Sequence, residues 1–167
     1  APERVERLVL IDAAAYPRSA DTGSRPLLLS LAAQPCVGEV LSNFNSRSRV
    51  RGMLEDVYAD DAKIVAADVD AYYAPLQMSG GSRAALALLR SDDFGGNIAA
   101  GIPDIQTPAL VLWGADDRWI PLELGERLAG DLPNATLQVF ENVGHVPQEE
   151  APELVLAAMR KFLGIRR

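Results

Sequence analysis

The chain has one cysteine, one histidine and, in its 167 residues, no Gly-x-Ser-x-Gly turn. The single cysteine, Cys36, excludes an internal disulfide framework and fits a reducing, cytoplasmic setting. No histidine stands near it, so it reads as a small core or cap residue rather than a nucleophile. A lone histidine, His145, is too isolated to build a zinc site of the usual kind, and no metal is expected. No apolar run approaches the roughly 18 residues of a spanning helix, and no signal-like segment opens the chain. Membrane association is therefore not expected. Basic residues are also scarce: 16 Lys and Arg against 23 Asp and Glu leave a formal net charge of −7. Nothing would offset phosphate repulsion, which argues against nucleic acid or an anionic membrane as a partner. No Gly-rich phosphate loop follows the first strand-like run, which weakens a nucleotide-binding reading, and no cofactor is expected.

What remains is ordinary globular material, 49% hydrophobic and 23% charged, of a length that suits one domain or a large piece of one. Arg7 to Asp12 is a short, continuous apolar run of the kind that forms a parallel strand covered on both faces. Pro108 to Trp113 repeats the pattern and ends at Gly114. Thr136 to Phe140 is a third, more amphipathic run, as expected nearer a sheet edge. Between the last two, Pro121 to Leu132 reads as a helix with Leu124, Leu128 and Leu132 on one face. Pro152 opens a closing helix whose apolar face is Leu154, Val155, Ala158, Met159 and Phe162, with Glu149, Glu150 and Glu153 near its positive end. Strand, helix, strand, helix is the doubly wound α/β pattern.

The stretch from 16 to 103 departs from that pattern. It carries helical spacing over Arg25–Ala33, Ser46–Ala59, Asp61–Tyr73 and Ser82–Ser91, and no convincing strand. The expected organisation is a first core strand in 1–15, a helical cap in 16–103, and core strands and helices in 104–167. Such an insertion would form a lid over the C-terminal edge of the sheet.

Chemistry gathers at two loops that leave strand ends. One is Gly114-Ala115-Asp116-Asp117-Arg118-Trp119-Ile120-Pro121; the other is Gly144-His145-Val146-Pro147. Ligands and catalytic groups of open α/β sheets collect at the carboxyl ends of strands. An imidazole, with an ordinary pKa of about 6.5, suits proton transfer at neutral pH. A nearby carboxylate would fix its tautomer. One of the two aspartates is expected to cap the following helix and the other to orient His145.

These two loops, taken with the order acid then histidine, resemble the acid and histidine loops of the α/β-hydrolase superfamily. The family's acid is the third residue after the glycine, which selects Asp117 and leaves Asp116 as the neighbour that caps the helix or faces solvent. The resemblance implies a partial α/β-hydrolase sheet of about three parallel strands with flanking helices and an inserted helical cap. It also implies that Arg7 to Asp12 is the strand after the nucleophile helix, so that the nucleophile and oxyanion loop lie in a front half outside this chain. Ser79 and Ser82, in a glycine turn of the cap, follow no strand and are poor substitutes. Asp12 is an alternative acid position. The expected activity is hydrolysis of a small hydrophobic ester or acyl substrate, with Asp117 and His145 catalytic and with Trp119, Val146, Leu28, Leu41, Tyr72 and Met78 along the pocket. Alternatives are a carbon–carbon bond hydrolase, an epoxide hydrolase, a dehalogenase, or a non-catalytic binding module derived from a hydrolase. The Arg7–Asp12 strand would present an unpaired apolar edge, so a homo-oligomer or association with the front half is expected, and this chain alone should hydrolyse little.

Overall fold

The computed structural model describes residues 4–16, 34, 46–90 and 98–165. Three parallel strands, β1 (Leu8–Ile11), β2 (Ala109–Gly114) and β3 (Ala135–Phe140), form a sheet in the order β1-β2-β3. The register aligns Leu10 with Val111 and Val111 with Leu137. The ladders continue past the strand ends, where Asp12 N–H donates to the Leu112 carbonyl and Ala115 N–H to that of Phe140. The C-terminal ends of all three strands therefore lie side by side.

Every residue of β2 is buried, as a central strand without a polar residue requires. Its side chains alternate between two cores. Ala109, Val111 and Trp113 pack with Leu128, Leu132 and Ile102. Leu110 and Leu112 pack on the other face with Phe140, Val143, Val155 and Ala158. The helices of the two faces are α4 (Leu122–Asp131) and α6 (Pro152–Leu163), the latter ended by Gly164 at φ 70°, a left-handed position that favours glycine. β3 alternates between half-buried and exposed residues, in keeping with its amphipathic sequence.

The described part of the cap holds α1 (Arg47–Val57), α2 (Ala66–Gln77) and α3 (Gly81–Arg90). Ser46 caps α1 by accepting from Arg49 N–H at 3.2 Å. Val50, Leu54, Val57, Tyr58, Ile64 and Val69 form a third core, and Val146 from the histidine loop completes it. The cap is thus packed onto the loop that carries His145.

The structure corrects several boundaries. The helix expected over Asp61–Tyr73 is a single 3-10 turn at Asp61–Lys63 followed by α2. The break follows from two short acid side chains: Asp60 accepts from Ala62 N–H and Asp68 from Val65 N–H, so a new helix start forms at Val65. A 3-10 segment at Ala99–Asp104 was not anticipated; it places Ile102 in the core. The helix expected at Arg25–Ala33, together with Leu28, Cys36 and Leu41, lies outside the described residues. Among the described residues, no helix is long and apolar enough to cross a membrane.

Candidate active site

Asp117 and His145 meet. The Nδ1 of His145 lies 2.8 Å from Asp117 Oδ2, and the aspartate side chain is fully buried. The other carboxylate oxygen, Oδ1, accepts from the N–H groups of Trp119 at 2.7 Å and Ile120 at 2.9 Å. One oxygen shapes the loop while the other faces the imidazole, so the carboxylate has little freedom to rotate. The expected division of labour between the two aspartates is corrected here. Asp117 satisfies the loop amides as well as facing His145, whereas the Asp116 side chain is exposed.

The convergence has a local cause. β2 and β3 are neighbours, and the loops leaving them cross where neither residue carries a side chain. A Cβ on Gly114 would lie 2.1 Å from the Gly144 carbonyl oxygen. Asp116 N–H donates to the Val143 carbonyl at 3.0 Å, joining the two loops directly. The Trp119 ring lies 5.4 Å from the imidazole at a tilt of 31°. Trp119 Nε1 is buried and has no hydrogen-bond partner among the described residues. His145 is one-fifth exposed at its side chain, and its Nε2 makes no hydrogen bond to any described residue.

A third acid stands behind this pair. Asp12, at the end of β1, is buried and adopts φ 40°, a left-handed conformation uncommon outside glycine, asparagine and aspartate. Its Oδ1 accepts from Gly114 N–H at 3.0 Å, while Oδ2 has no partner among the described residues. Burial pushes its carboxyl up to about 8; the Gly114 N–H opposes this and the Asp117 charge adds to it. Asp12, Asp117 and His145 bring possible ligand atoms within 4.8 Å of one another. A metal held between Asp117 Oδ2 and His145 Nδ1 would have to displace their 2.8 Å contact, which makes this a poor cation site.

Other candidates fall away from the pair. Ser79 is exposed, and Ser82 donates its hydroxyl to the Leu76 carbonyl at 3.1 Å. Met78 is 70% exposed, unlike a pocket-lining residue. Val146 is buried in the cap core, and Tyr72 donates its hydroxyl to Glu149 at 2.7 Å. Burial and Glu149 together raise both the Tyr58 and Tyr72 phenols above their ordinary value. An open cavity of about 400 Å³ adjoins the acid loop, lined by Ala59, Ala115, Asp116, Asp117 and Arg118.

Sequence reasoning assigned Glu150 only to a helix end, yet it is among the most connected side chains of the site. Its carboxylate is wholly buried and accepts from Gly144 N–H at 2.6 Å, Asp60 N–H at 2.9 Å and Ala59 N–H at 3.2 Å, with Lys63 Nζ at 3.7 Å. The available signal was a run of acids directly after the His145 loop, which a short helix, α5 (Pro147–Glu150), turns inward.

A sequence profile of the Alpha/beta hydrolase family matches residues 1–158. The chain belongs to that family. Among curated relatives it is 28% identical over 162 residues to the uncharacterized hydrolase YugF of Bacillus subtilis, a match covering 97% of this chain and 58% of that protein. It is 48% identical over 61 residues to a 2-hydroxy-6-oxononadienedioate/2-hydroxy-6-oxononatrienedioate hydrolase of Paraburkholderia phymatum, covering 36% of this chain and 21% of that one. A meta-cleavage product hydrolase from Pseudomonas fluorescens superposes with a TM-score of 0.76 at 21% identity, over 97% of this chain and 57% of its own. An esterase from Thermogutta terrifontis does so with a TM-score of 0.71 at 23% identity, over 98% and 57%. At these identities the two structures speak for the fold alone. The chain spans somewhat over half the length of these full-length matches.

Proposed function

We propose that this chain supplies the acid and the histidine of a hydrolase that acts on an acyl carbonyl. The observation that supports this best is the 2.8 Å contact between Asp117 Oδ2 and His145 Nδ1 at the adjoining ends of β2 and β3. Asp117 accepts a hydrogen bond from Nδ1–H and so holds the tautomer with Nε2 free to act as base. His145 takes the proton of a nucleophile, returns it to the leaving group, and then activates water for deacylation, while Asp117 stabilises the imidazolium. The nucleophile and the oxyanion donors come from outside these 167 residues, by way of strands that pair with the edge of β1 that no described strand occupies. Trp119, beside the imidazole, flanks the acyl group.

Two bonds suit this chemistry. A carboxylic ester is the simpler substrate. A carbon–carbon bond next to a ketone is the second, favoured by the 48% local identity to a 2-hydroxy-6-oxo-dienedioate hydrolase. Both pass through attack on a carbonyl, so the same pair serves either. The test is to assay the intact protein on p-nitrophenyl esters and on a 2-hydroxy-6-oxo-dienoate, each with and without His145→Ala. Turnover of one or both that His145→Ala abolishes supports the reading; tight binding without turnover would make the protein a binding module instead.

A further inference from the structure

We propose that Glu150 is a positioning residue, which ties the His145 loop to the cap and thereby holds the imidazole against Asp117. The proposal takes from the reading above only that the Asp117–His145 pair is a working unit. A carboxylate with no exposed surface is costly unless its oxygens are filled, and those of Glu150 are filled from two separate elements. Oε2 takes the N–H of Gly144, the residue before His145, and also the N–H of Ala59, just past the end of α1. Oε1 takes Asp60 N–H and faces Lys63 Nζ. The bridge is doubled by the backbone, because His145 N–H donates to the Val57 carbonyl at 2.8 Å. Its neighbour Glu149 accepts from the Tyr58 and Tyr72 hydroxyls of the cap at 3.1 and 2.7 Å.

The N–H groups of Gly144 and His145, the two that lead into the His145 side chain, are thus anchored to the cap, while the Val143 carbonyl is held by Asp116 N–H of the acid loop. Displacing the α1–α2 turn would drag the imidazole off Asp117. The α1–α2 part of the cap then acts as a support for the histidine and not as a lid hinged independently of it.

The isosteric Glu150→Gln keeps the shape and one acceptor oxygen, but it turns an NH2 toward Asp60 N–H or toward the Gly144 and Ala59 amides. Glu150→Ala removes every acceptor. The readout is the hydrogen-bonded Nδ1 proton of His145 in the NMR spectrum of the intact protein, assigned by its loss in His145→Gln. Spectra are recorded well below the melting temperature of each variant, with folding checked by circular dichroism. This measurement needs no substrate, so its outcome is separate from whether the protein hydrolyses anything. We expect solvent exchange of that proton to quicken about tenfold in Glu150→Gln, the equivalent of one lost hydrogen bond to a charged group. In Glu150→Ala the signal should vanish, while Arg51→Ala, which removes an exposed pair with Glu55 in α1, leaves it unchanged. A merely structural role would lower the melting temperature and leave the exchange rate of the folded protein alone. If folded Glu150→Gln shows the wild-type signal and exchange rate, the proposal is wrong, even should Glu150→Ala fail to fold.

Discussion

Gly144 lies so close to Val57 that a Cβ on it would stand 2.2 Å from the Val57 carbonyl oxygen, the same oxygen that accepts from His145 N–H. No side chain fits between the histidine loop and the end of α1, because the atoms a Cβ would meet there all belong to the backbone of Val57, Tyr58 and Ala59. Gly144→Ala should therefore push the loop away from the cap. The expected result is a loss of about 1–3 kcal/mol in stability from overpacking, read by denaturant melts. Any hydrolysis should fall further than that loss accounts for, because His145 moves with the displaced backbone.

The two adjacent aspartates should respond very differently. Asp117→Asn offers the imidazole an amide where it now meets a carboxylate, so in the intact hydrolase proposed above kcat should fall by about 10⁴-fold, the size seen when a triad acid is neutralised. Asp116→Asn changes an exposed side chain, and activity should stay within a factor of about two. Equal losses for the two variants in a steady-state assay would contradict the assignment of Asp117.

Asp12 sets a pH dependence of stability. In the unfolded chain its carboxyl titrates near the ordinary value of 3.8; in the fold, burial pushes it up to about 8. Between these values the unfolded state has released a proton that the folded state still holds, so rising pH favours unfolding. The contribution is fully present below about pH 4 and is lost as pH climbs through about 8. Its slope is at most about 1.4 kcal/mol per pH unit. Asp12→Asn keeps an acceptor for Gly114 N–H and does not titrate. Melting temperatures of wild type and Asp12→Asn, compared at pH 5 and pH 8, should diverge in favour of the variant at the higher pH.

Gly125 supports the core beneath the acid loop. A Cβ there would lie 2.5 Å from Cδ2 of Trp113, a fully buried indole whose Nε1 donates to the Ile120 carbonyl at 3.1 Å. Helix propensity alone would make Gly125→Ala in α4 stabilising by roughly 1 kcal/mol. The clash with a rigid ring outweighs that, and the net effect should be a loss of about 1–3 kcal/mol. Trp113 fluorescence should shift as the indole is displaced.

The free side of β1 bears on association. Among the described residues β1 pairs only with β2, and Val9 and Ile11 are only half-buried. Light scattering on these 167 residues produced alone should show concentration-dependent association. A monomer mass constant across a wide concentration range would count against an unsatisfied edge.

Much of the framework was legible in sequence. The unbroken apolar run Ala109–Trp113 has no polar residue to turn toward solvent, so it had to be a strand buried on both faces. The alternation in Ala135–Phe140 marked a strand with one solvated face. Asp117 and His145 were visible because each follows a strand and a glycine, and parallel neighbours bring such loops to one rim. The second helix of the cap was misplaced because the side chains of Asp60 and Asp68 bond to nearby amides, a competition that periodicity does not register. Glu150 reads in sequence as a helix-end charge because two of its partners, Ala59 and Asp60, lie some 90 residues away.

Order and spacing along the chain determined which residues stand at strand ends, since alternation and turn chemistry are local properties. Folding alone decided which distant amides a buried carboxylate would gather, and how far burial would lift the proton affinity of Asp12. Those outcomes depend on desolvation and on contacts between segments far apart in the chain, and no neighbouring residue encodes either.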